Sequence, residues 1–260
     1  MVKNYLLVAF RHLKRQPAYS LLNILGLTIG IVSSLLIVLY LSNELGYDKH
    51  NTKADRIFRV NADIREPDNA FRWASSQLPM RRTVAAEFDE IESYVRIVPN
   101  GIIKFQIGDI SYLEEDVFLV DSTMFDVFSY DLIAGNPATA LMNPNSIVLS
   151  ESMAKKIFKE EDPMGKILKT EARPYNVTGI YKDVTTQSHI RPRGLISLNS
   201  SPDNNNARNW GKFGIYTYFL LNEGVKAETV EKKLEGIVDK YVAVIFDQFN
   251  ITVKYELLAI

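Results

Sequence analysis

The chain has 260 residues, 47% hydrophobic and 23% charged, with 30 basic and 31 acidic side chains and no cysteine. A mean hydropathy near zero argues against a polytopic membrane protein over this length, and the missing cysteines exclude disulfides and thiolate metal sites. Lys3, Arg11, Lys14 and Arg15 precede every acid, so the remainder carries 30 − 4 = 26 bases against 31 acids, a balance of −5. A mildly acidic remainder argues against nucleic acid or another polyanion as partner.

The first predicted element is a short basic helix over residues 1–15. Val2, Tyr5, Leu6, Ala9, Phe10 and Leu13 recur at helical spacing and leave Asn4, Arg11, Lys14 and Arg15 on the other side. This pattern fits a helix in the cytoplasmic membrane interface, and equally a plain positive-inside flank. Next, residues 16–43 form a charge-free run of 28 residues. It is longer than the roughly 7–15 residues of a signal-peptide core and leaves through Tyr40-Leu41-Ser42-Asn43 without a small-residue cleavage pattern. An uncleaved transmembrane anchor is expected, with the bilayer as its partner. Its basic flank is on the cytoplasmic side, and everything after about Asn43 is outside.

Beyond the anchor, residues 56–64 read as a strand, and Pro67, Asp68 and Asn69 break it. Pro79 opens a helix whose buried face is Val84, Ala85, Phe88 and Ile91, and strands return at 94–99 and 104–108. From 109 to 209 short apolar bursts alternate with turn residues, at 117–121, 125–130, 146–150, 175–181 and 194–198. A single helix interrupts them at 150–158, with Ser150 as N-cap and Glu151 at the positive end of the dipole. Asp162-Pro163-Met164-Gly165 reads as a turn and residues 201–209 as a mobile connection. The chain closes with a strand at 215–221, a helix burying Val230, Leu234, Ile237, Val238 and Tyr241, and a strand over 251–260. The fold class is therefore α+β. Two β-α-β units form one sandwich, into which a β-rich module is inserted. The boundaries fall at 1–15, 16–43, 44–110, 111–210 and 211–260.

In this order, residues 21–60, then 120–168 with the helix entry and Pro-Gly turn of 145–166, then VTGIYKDVTTQSHI at 177–190, the sequence resembles ABC-transporter permease subunits of the MacB-like and FtsX-like type. The resemblance covers nearly the whole chain. It implies one transmembrane helix, a porter-like α/β subdomain interrupted by a β-rich one, and then three further transmembrane helices. It also implies a second permease subunit or repeat, a separate cytoplasmic ABC ATPase, and no enzymatic activity in the permease itself. The cargos it implies are macrolides, peptides or lipoproteins, and some members activate cell-wall hydrolases instead. The sequence given ends at Ile260 before a second hydrophobic span, so two expectations stay open: an N-terminal part of such a permease, or a solitary anchored scaffold or sensor.

Candidate residues follow from both readings. Gly26 and Gly30, extended by Ser33 and Ser34, form a small-residue face suited to helix packing, although glycine is common in membrane helices anyway. Asn23 and Thr28 offer hydrogen bonds to a neighbouring helix or to their own backbone. Glu44, Tyr47 and Asp48 stand at the membrane exit, where the resemblance implies transmission of motion; interfacial anchoring by Tyr40 and Tyr47 is the plainer alternative. His12, His50 and His189 lie far apart in sequence and suggest no ligand set. The acidic runs at 89–90, 114–116 and 160–162 read as solvated turns. Trp73, Trp210, Phe213 and Tyr216 are candidates for a cargo surface or for core. No catalytic residue, metal or cofactor is expected.

Overall fold

In the computed structural model, the residues described are 14–202 and 209–260, together with Tyr5 and Arg11. Most of the expected interfacial helix over 1–15 and of the expected connection at 201–209 lies outside them. The chain divides into two compact units, residues 1–47 and 48–260.

In the first unit, helix α1 (Pro17–Glu44) begins with a proline, whose missing N–H is unneeded in a first turn, and buries no side chain. Its 28 residues make about 42 Å at ~1.5 Å per residue, more than a ~30 Å hydrocarbon layer requires. Among the described residues it is the one helix long and apolar enough to cross a membrane.

The second unit opens with β1 (Ile57–Arg65), β2 (Ala70–Trp73), α2 (Met80–Glu87) and β3 (Ile91–Pro99). Its middle holds β4 (Ile103–Ile107), β5 (Ile110–Glu114), β6 (Val117–Val120), α3 (Met124–Val127), β7 (Leu132–Gly135), β8 (Ser146–Ser150) and α4 (Glu151–Phe158). There follow β9 (Ile167–Lys169), β10 (Pro174–Tyr181), β11 (Gly194–Ser197) and β12 (Tyr216–Leu221). Helices α5 (Ala227–Ile237) and α6 (Ala243–Phe246), joined by a π-helical turn at Val238–Val242, lead to β13 (Thr252–Ala259).

All the strands belong to one sheet, in the order β13-β1-β12-β3-β6-β11-β8-β10-β9-β4-β5, with β2 on β1 and β7 on β10. β1 and β3 each run antiparallel to β12, so they are parallel to one another with α2 between them; β12 and β13 are related in the same way through α5 and α6. These four strands have the spatial order of a split β-α-β pair, and the fold is α+β as expected. The sheet then continues through the antiparallel pair β3 and β6, where Ile97 faces Val120 and Val98 faces Leu119.

Strand β12 shows why the apolar run at 216–221 does not alternate. Phe219 and Leu221 pack on one face with Val60, Ala62 and Ile64 of β1 and with Val230, Leu234 and Ile237 of α5. Tyr218 and Leu220 pack on the other face with Met124, Val127 and Phe128. A strand covered on both sides needs apolar residues at every position. The third core gathers Met153, Ala154, Ile157 and Phe158 of α4 against β8, β10 and β11, and Ser150 caps α4 by accepting from the Met153 N–H at 3.2 Å.

Two expectations are corrected and one is extended. Residues 125–130, read as an extended burst, begin as the helical turn α3, because Met124, Val127 and Phe128 bury one face at helical spacing. The strand expected at 104–108 is β4, and it lies at the far end of the sheet in a hairpin with β5, not beside β3; Gly108, with φ +54°, makes the reversal. The polar break at 66–69 is a hairpin connection from β1 to β2, closed by the Glu66 N–H donating to the Asn69 carbonyl at 2.8 Å.

Candidate functional site

The richest polar constellation in the second unit is built at its first residues. Asp48 is buried with a left-handed backbone, φ +56°, which aspartate tolerates better than most side chains. Its N–H donates to the Gln187 carbonyl at 2.9 Å, and its carboxylate faces the 187–190 loop. There the Ser188 hydroxyl donates to Oδ1 at 3.0 Å, and the His189 backbone N–H to Oδ1 at 3.2 Å. His189 Nδ1 lies 2.7 Å from Oδ2, and its Nε2 lies 2.8 Å from the Tyr218 hydroxyl on β12.

An ionised carboxylate only accepts, so Nδ1 carries the proton toward Asp48; in the neutral ring Nε2 then accepts from the Tyr218 O–H. Burial pushes the Asp48 carboxyl up, but the hydrogen bonds and charge of His189, aided by Ser188, outweigh it and hold the group below the ordinary carboxylate range. Burial pushes the Tyr218 phenol up, against the pull of the Arg59 guanidinium. Tyr218 thus stays a protonated donor.

The following residues sew the same segment to the loop after α3. Asn51 donates from Nδ2 to the Asp48 carbonyl at 3.2 Å and accepts the Ser129 N–H at 3.0 Å, and the Thr52 N–H donates to the Ser129 hydroxyl at 3.0 Å. His50 stacks on Tyr130, with ring centroids 6.5 Å apart and planes 13° from parallel, and both its ring nitrogens are buried without a hydrogen-bond partner. The end of the chain returns to this region, since the Ile260 N–H donates to the Ile57 carbonyl at 3.4 Å.

A second ionic knot lies at the junction of β3 and β6. Arg96, 1% exposed, grips both oxygens of Asp121 from Nε at 2.9 Å and Nη2 at 2.7 Å, while the Arg96 N–H donates to the same carboxylate at 2.9 Å. Arg81 of α2 approaches Asp121 at 3.4 Å. This pair binds the four-strand split β-α-β part to the rest of the sheet.

The residues singled out from sequence fare differently. Gly26, Gly30, Ser33 and Ser34 all lie on α1 with exposed surfaces, the two glycines have open space where a Cβ would sit, and the Ser34 hydroxyl donates to the Gly30 carbonyl at 2.9 Å within the helix. Glu44, the last residue of α1, and Tyr47 are exposed in the first unit, whereas Asp48 is buried in the second. His50 and His189, read as unrelated, share the Asp48 corner; 138 intervening residues hid that from sequence reasoning. Trp210 is core, stacked on Tyr241 at 5.2 Å, whereas Trp73 is exposed on β2 and meets Phe213 edge-on at 5.6 Å. Among the described residues, no group of three or more histidines, cysteines or acids is arranged to hold a metal ion.

A bilayer-length helix is followed by a split β-α-β sheet that runs on into further mixed strands. The chain belongs to the MacB-like periplasmic core domain family, whose profile matches residues 20–237. The macrolide export ATP-binding/permease protein MacB of Aggregatibacter actinomycetemcomitans is 26% identical over 175 residues, 63% of this chain and 26% of that protein. The chain thus spans about a quarter of that relative's length. In fold it is similar to a domain of a candidate permease protein from Porphyromonas gingivalis, with TM-score 0.72, 22% identity and coverage of 81% of this chain and 92% of the other. It is also similar to the periplasmic region of MacB from Actinobacillus actinomycetemcomitans, with TM-score 0.52, 16% identity and coverage of 80% and 89%.

Proposed function

We propose that this chain is the anchored, extracytoplasmic part of an ABC permease in which movement of α1, driven by ATP hydrolysis in a separate cytoplasmic ATPase, reaches the sheet unit through residues 44–53. The observation that carries this reading is the fastening of Asp48 and its neighbours to the 187–190 loop, the loop after α3 and β12. A pull on the chain at Asp48 is delivered at once to the split β-α-β strands and to the inserted ones. The two parts act as modules joined at β3 and β6, and the basic flank keeps the N-terminus cytoplasmic with residues after about 43 outside. Glu44 and Tyr47 belong to the transmitting segment, and the Gly26, Gly30, Ser33 and Ser34 face of α1 contacts a neighbouring transmembrane helix of the permease or of a second copy. The cargo class is that of the family: an antimicrobial, a peptide or a lipoprotein.

Affinity purification of the tagged native protein from its own membranes tests this. A cytoplasmic ABC ATPase is expected to co-purify, and its ATP turnover is expected to change in the Asp48→Asn variant. Purification without any ATPase would favour the anchored scaffold or sensor instead.

A further inference from the structure

The entry segment contains one titratable ring that the coupling role does not use. His50 sits between the buried Asp48 and the 126–130 loop, stacked on Tyr130, and neither ring nitrogen has a partner. A neutral imidazole normally keeps at least one nitrogen bonded, so this ring is held by packing alone. The Asp48 carboxylate, the nearest countercharge, already receives three donors from Ser188 and His189. We propose that His50 makes the entry segment a proton-operated release: neutral, it closes residues 48–52 onto the loop after α3; protonated, it leaves the Tyr130 stack for water and opens that segment.

Burial outweighs the one countercharge that faces it. On its own segment Asp48 attracts a charged His50, and from the 187–190 loop His189 opposes it whenever that ring is itself charged. From the loop after α3 comes the Tyr130 phenol, with Tyr181 of β10 stacked behind it at 5.6 Å, both neutral. From β12 comes Tyr218, hydrogen-bonded to His189. Burial, the largest influence, pulls the His50 ring below the ordinary histidine value; the Asp48 charge offsets part of this, and His189 adds to it. The sign is explicit. An opened or unfolded His50 takes up its proton near pH 6.5 and the closed one only at lower pH, so closure is complete above that value and is progressively lost as the pH falls through it. Asp48 adds a separate loss, confined to pH below about 3.8, its ordinary value.

This inference needs no ATPase and holds or fails apart from the transport reading. The test is amide hydrogen exchange of the full chain in lipid nanodiscs at pH 8 and pH 5.5, corrected for intrinsic rates. Protection of residues 48–52 is expected to fall several-fold at the lower pH while the β12 amides stay protected, and His50→Phe, which keeps a ring on Tyr130, is expected to abolish the difference. Equal protection at both pH values, or a pH effect that persists in His50→Phe, overturns the proposal. Should that variant fold poorly, the 13C–1H resonance of His50 in the native chain decides directly. A midpoint below 6.5 is expected, and one at or above 6.5 overturns the proposal.

Discussion

Two buried ionic knots of this protein differ in what holds them. Arg96 and Asp121 join strands β3 and β6, and the pair is fixed at every physiological pH because a guanidinium does not deprotonate. Asp48 and His189 join the segment after the membrane helix to a loop and to β12, through an imidazole held at both of its nitrogens. A guanidinium clasp stands where two parts of one sheet meet, and an imidazole one where force is proposed to enter. On the proposed coupling, the junction within the sheet stays closed while the entry changes.

The largest effect expected is at the permanent knot. Asp121→Ala removes the carboxylate that faces a guanidinium buried at 1% exposure and should cost about 3–5 kcal/mol, read as a loss of thermal stability of the full chain in detergent. Replacing the pair together, Arg96→Met with Asp121→Leu, should restore most of that loss, because two apolar residues leave no orphaned charge. A double variant as unstable as the single one would mean that the knot does more than pair charges. At the entry, His189→Ala strips the Asp48 carboxylate of a side-chain donor and should cost about 2–3 kcal/mol at neutral pH. That difference should narrow as the pH falls below about 3.8, since the contribution of a carboxyl held below its ordinary value is lost there. A pH-independent difference would show that the loss is packing alone. Smallest is Ser150→Ala, which removes an uncharged cap from α4 and should cost about 1 kcal/mol at every pH, marking the scale of a single neutral hydrogen bond beside the two knots.

How much of this was legible in the sequence depends on the range of the signal. The charge-free run gave α1, the Ser150-Glu151 entry gave α4, and the long apolar periodicities gave β12, α5 and β13, because each is set by residues within one or two turns. Strands β5, β7 and β9 have only three to five residues, too few for a period to declare itself. The placement of β4 beside β5 and β9 is a tertiary choice that its own residues do not encode. The site was less legible still. Asp48 was singled out for standing at the membrane exit, yet its partners Ser188 and His189 are 140 and 141 residues away, and no spacing rule joins positions so remote. Three histidines in 260 residues looked scattered for the same reason, although the fold brings two of them to one corner.

The claim that motion passes from α1 to the sheet unit through the Asp48 corner has a direct test, made clean by a chain without native cysteine. Spin labels on cysteines placed at Ser42 and Lys182 report the distance between the membrane helix and the sheet unit in native membranes, with and without ATP and vanadate. The account predicts two distinct distance distributions for the native corner, and a weakened nucleotide response in Asp48→Asn. A single distribution that ignores nucleotide would contradict it.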